Sequence, residues 1–145
     1  MNIISLLQND HRNMETLVIG LQNIVERRAR RQIFDELRVE LEIHSQSEED
    51  ALYPRELLQR RIHSSLDDAR LANHDILRLL NEMELSESDS DEWVRLARDP
   101  KKSGGDLVAR GDDTLSRVLL SALTHEELER WGNDLVLAKH QLKAG

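Results

Sequence analysis

At 145 residues the chain has the length of one domain with a core of its own, and 33% charged residues with only two prolines and six glycines favour helix. The absence of cysteine excludes disulfides, thiolate chemistry and cysteine-ligated metals. A net charge of −8 argues against wholesale binding of nucleic acid or anionic membrane, since neutralising phosphates takes an excess of Lys and Arg.

No β-branched or aromatic run is bounded by turn signals, so an all-α domain over residues 1–145 is expected. No apolar run approaches a membrane span, and "MNIISLLQND" lacks a basic start, a long apolar core and a cleavage site. A cytoplasmic location follows as the default expectation.

Helix one is expected over residues 2–28, with Asn2 as N-cap. Ile3, Ile4, Leu7, His11, Met14, Leu17, Val18, Leu21, Ile24 and Val25 fall in one arc. The basic run "ERRARR" (26–31) reads as a helix C-terminus, its cations on the dipole, followed by a turn. Helix two is expected over 31–60, with Phe34, Leu37, Leu41, His44, Glu48 and Leu52 on its stripe. Pro54 should bend or break it, leaving 55–61 as a separate turn or a kinked continuation. Helix three is expected over 65–85, capped by Ser64, with Leu66, Asn73, Ile76, Leu77, Leu80 and Met83 inward and His74 toward the side. "SESDSD" (86–91) reads as an acidic loop. The stretch 92–123 reads as a broken fourth helix, interrupted at Pro100 and poorest over 101–117. The closing helix (124–142) opens on a capping box of Thr124 and Glu127 and repeats Leu128, Trp131, Leu135 and Ala138 at helical spacing. Three long helices, a broken fourth and a closing helix predict an antiparallel bundle.

The stripe residues that are not apolar are the candidates for chemistry. His44 and Glu48 are four apart in "EIHSQSEEDALYP" (42–54) and share one face, so imidazole and carboxylate can reach one ion. A buried carboxylate must be protonated, paired or bound to a cation. His11 lies mid-helix on the facing stripe, at matching depth if helices one and two are antiparallel, and His74 can join from helix three. Three imidazoles and one carboxylate without sulfur suit iron, zinc or manganese. The alternative is a hydrogen-bonded core in which Glu48 pairs with histidine or arginine. His63, His125 and His140 fall near turns or on the final helix and read as ordinary surface or capping residues. No nucleophile arrangement and no phosphate loop is present, so no catalytic residue is singled out.

"LLQNDHRNMETLV", "HSQSEEDALYP" and "NHDILRLLNEME" resemble the hemerythrin-like (HHE cation-binding) family. The second piece matches the H-x-x-x-E-E-x-x-L-[FY]-P signature at every fixed position, and "LTHEELERWGNDL" is similar to the closing helix. The resemblance implies a four-helix bundle around a non-haem di-iron centre that binds or senses oxygen, or serves nitric oxide, peroxide or iron chemistry. It would make His11, His44 and His74 imidazole ligands and Glu48 a bridging carboxylate. The chain departs from the family in helix four. Counted back from "LTHEEL", the ligand histidine becomes Leu107 and the ligand glutamate Gly111, with Asp112 or Asp113 left to supply an oxygen. The resemblance therefore implies a mononuclear or incomplete di-iron site. Oxygen or nitric oxide is the expected small ligand, and a protein partner or homodimer mate is compatible with it. The competing expectation is a metal-free bundle kept as a regulatory or interaction module.

Overall fold

Asn2 starts the first helix, α1 (Ile3–Asn23), by accepting the Ser5 amide on its side chain at 2.9 Å. The computed structural model describes residues 1–61, 63–86, 95 and 115–144. α1 ends five residues before the expected 28, because Ile24 is extended and Val25 is 83% exposed. Glu26 then caps α2 (Arg27–Ala51), its carboxylate accepting the Arg28 and Ala29 amides at 3.0 and 2.7 Å. The basic run thus opens a helix where a helix end was expected. Its cations oppose the α2 dipole and are compensated locally: Arg31 pairs with Asp35 and Glu84, and Arg30 donates to the Ile24 carbonyl.

At Pro54 the chain breaks, and α3 (Glu56–Arg61) is a separate helix. α4 (His63–Glu84) follows, with Ser64 inside it and not at its cap. A further helical stretch covers 115–122. α5 (His125–Ala144) begins on the expected capping box, with Thr124 and Glu127 exchanging backbone-to-side-chain bonds at 3.0 and 3.2 Å. No strand occurs among the described residues, and none of their helices is long and apolar enough to cross a membrane.

α1 packs on α2 and α5, and α2 on α4 and α5. Two apolar clusters form. One gathers Ile3, Leu7, Leu52, Tyr53, Leu119 and Trp131, among others; the second gathers Met14, Leu21, Phe34, Leu41, Leu80 and Met83. Leu7 groups with Leu52 and Leu21 with Phe34, so α1 and α2 run back along each other. In both helices a polar layer separates the clusters: Asp10 and His11 between Leu7 and Met14, and His44, Ser47 and Glu48 between Leu41 and Leu52.

Candidate metal centre

The apolar residues on either side of that layer fix its depth. His44 is 2% exposed, Glu48 3% and Asp10 7%, too deep for water to solvate their charges. They are satisfied by one another and by His11 and Tyr53. His11 Nε2 and His44 Nε2 face each other at 3.1 Å, with the rings 4.8 Å apart and edge-on. His44 Nε2 also contacts Glu48 Oε1. Glu48 Oε2 accepts the Tyr53 hydroxyl at 2.9 Å. On its far side His44 donates from Nδ1 to Asp10 Oδ2 at 2.9 Å, and Lys139 of α5 donates to the same oxygen.

The charges follow from these contacts. Burial alone would push the His44 imidazolium down, but the Glu48 and Asp10 carboxylates outweigh it and raise its pKa to about 10. Burial works the other way on the acids. It is outweighed at Asp10 by His44 and Lys139, and at Glu48 chiefly by His44, so both stay below the ordinary carboxylate range. Burial and the adjacent Glu48 raise the Tyr53 hydroxyl, which keeps it a donor.

One ligand atom from each of His11, His44 and Glu48 lies within 4.8 Å of the others. The donor set fits a divalent transition metal: two imidazole nitrogens and one carboxylate oxygen. The Asp10 bond leaves His44 Nε2 as the nitrogen turned to the site, the outer arrangement that orients metal-ligating histidines.

His74, expected to join from the facing helix, is not brought to this group. It is exposed and lines a cleft of about 360 Å³ between α2 and α4, with Glu42, Gln46, Glu49, Arg70 and Asn73 among its neighbours. The reason is helical phase. Asn73 holds the inward position at 7% exposure, and the next residue lies about 100° around the helix. His125 and His140 are exposed, as expected. Leu107, Gly111, Asp112 and Asp113, on which the fourth-helix comparison turned, lie outside the described residues, as does most of 86–106.

Three contributors went unread in the sequence. Asp10 falls on the α1 stripe three residues after Leu7, and Lys139 lies one turn beyond Leu135 on α5, so a buried acid at the first and a half-buried amine at the second were signalled by spacing. Tyr53 sat within the quoted signature without being given a role.

A family model, the hemerythrin HHE cation binding domain, matches residues 2–131. A protein of Nostoc sp. (strain PCC 7120 / SAG 25.82 / UTEX 2576), named DNA nickase, is 24% identical over 145 residues, which cover 99% of this chain and 40% of that protein. The chain therefore spans well under half the length of this curated relative. The expectation that an acidic balance excludes nucleic acid gains no support from a relative of that name. No solved structure matches the chain. With a polar layer of two histidines and a glutamate and a family match over most of its length, the chain belongs to the hemerythrin HHE cation-binding domain family.

Proposed function

We propose that the chain binds a divalent metal, iron by preference, through His11 and His44 Nε2 and Glu48, and that it serves oxygen, nitric oxide or redox sensing or iron handling. The reading extends to a single antiparallel four-helix domain in the cytoplasm. The observation that carries it is the convergence of three metal-competent donor atoms within 4.8 Å, on two buried residues and the half-buried His11. Bound there, the metal would supply Lewis acidity or one-electron chemistry. The protein's own part is to hold it: Asp10 orients His44, Lys139 balances Asp10, Tyr53 steadies Glu48, and the two apolar clusters flank the layer on either side.

Elemental analysis of protein purified without chelator tests this, beside His44→Ala. About one equivalent of iron or a related divalent metal, lost in the variant, is the expected result. A second reading is favoured by one observation: both nitrogens of His44 already have acidic partners, so the cluster can close on a proton. On that reading the bundle is a metal-free regulatory or interaction module. Near-zero metal after iron reconstitution, with no change on mutation, would favour it. Action on DNA rests on the relative's name alone. The net charge of −8 supports assigning cation binding, and not phosphate contact, to the present chain.

A further inference from the structure

We infer that Tyr53 is a positioning residue that restricts Glu48 to one oxygen at the cation and so keeps coordination positions open for a small anionic or diatomic ligand. The inference rests on the cation reading above. The two oxygens of Glu48 have different partners: Oε1 is turned to His44 Nε2, and Oε2 accepts the Tyr53 hydroxyl at 2.9 Å. The phenol is not free to leave. Tyr53 is 1% exposed, and the Arg70 guanidinium lies over its ring at 5.0 Å. Arg70 is in turn fixed by Glu49 at 2.7 and 3.3 Å. The Tyr53 amide also donates to the Glu48 carbonyl at 2.8 Å, so one turn of backbone sets phenol and carboxylate against each other.

Swinging Oε2 onto the ion would rotate the carboxylate against the fixed phenol and stretch or bend the bond that satisfies a buried hydroxyl, which opposes the second contact. Glu48 therefore gives one donor, and with His11 and His44 the described residues supply three. Two histidines and one carboxylate with open positions is the donor pattern of non-haem iron sites that take a small ligand. A phenylalanine at 53 would fill the same space and release Oε2.

Mn²⁺ is a suitable probe, because water-proton relaxation by the bound ion scales with the number of waters on it, and azide is a suitable small anion. Wild-type protein should take up Mn²⁺ with high relaxivity that azide lowers. Tyr53→Phe should still bind Mn²⁺, with relaxivity reduced by the share of one water and azide affinity reduced severalfold. A merely structural role would lower the melting temperature of Tyr53→Phe and leave relaxivity and azide binding as in wild type, which overturns the inference. Should the variant not fold, wild-type protein whose Mn²⁺ relaxivity azide cannot change overturns it equally. Wild-type protein that takes up no Mn²⁺ or iron overturns the cation reading itself, and this inference with it.

Discussion

A buried imidazole offers a cation only the nitrogen that its other hydrogen bond leaves available. At His44 that choice is made by Asp10, which accepts from Nδ1 at 2.9 Å and is itself balanced by Lys139. Asp10→Asn keeps the size and an accepting oxygen but removes the charge that orients and polarises the ring. Affinity for Zn²⁺ or Fe²⁺, measured by competition with a chelating dye, should fall about 10–100-fold. His74→Ala should leave it unchanged, because His74 is exposed and outside the cluster. A loss in His74→Ala as large as in Asp10→Asn would mean that α4 turns its histidine inward in solution. The sequence showed His11, His44 and Glu48 because all three interrupt apolar stripes near their centres. Spacing set Asn73 on the inward stripe and His74 toward its side, and the structure keeps that phase. His74 joined the expected ligand set through the resemblance, which needs it to reach in from the stripe's edge. A residue about 100° around from the inward position stays at the cleft between α2 and α4 and does not reach the polar layer. Asp10 carried a spacing signal too, but it sits beside a histidine that drew the inference first.

Between elements, α5 approaches the start of α1 closely at Gly132. A Cβ at Gly132 would lie 2.2 Å from the Met1 carbonyl oxygen and 3.0 Å from the Ile3 amide nitrogen. Both are backbone atoms, so no side-chain rotation relieves the clash, and one helix must shift. Gly132→Ala should cost about 1–3 kcal/mol, the usual scale of overpacking. It should lower the urea midpoint without changing the slope. An unchanged midpoint would show that the helices do not meet this closely in solution. The caps that begin α1 and α5 were legible because Asn2, Thr124 and Glu127 act within one turn. The α1–α2 boundary was not. Apolar spacing runs on through Ile24 and Val25, yet Glu26 supplies a cap for a new helix and Arg30 closes back on the Ile24 carbonyl. Two local signals competed, and the cap displaced the periodicity. The same cap set the basic residues at a helix start, where Asp35 and Glu84 offset the unfavourable dipole.

Over the whole molecule, a charged layer between two apolar clusters ties stability to proton and cation binding. In the metal-free protein the His44 pKa is raised to about 10 from an ordinary 6.5. The folded state therefore holds this proton more tightly than the unfolded chain. That contribution is fully present below pH 6.5 and is lost as pH rises through about 10. Asp10 and Glu48 lie below their ordinary 3.8 and 4.5, so their contribution is present above those values and lost as pH falls further. Metal-free protein should thus be most stable between about pH 4.5 and 6.5 and weaken on the alkaline side. A bound cation takes the place of the proton on His44 Nε2, so loaded protein escapes the alkaline loss. The gap in melting temperature between loaded and metal-free protein should widen from pH 6 to pH 9. At about a hundredfold excess of free metal over Kd, binding adds about 2.7 kcal/mol. Differential scanning calorimetry of both forms across that range is the measurement. A gap that stays constant, or narrows with rising pH, would mean that His44 does not exchange its proton for the metal.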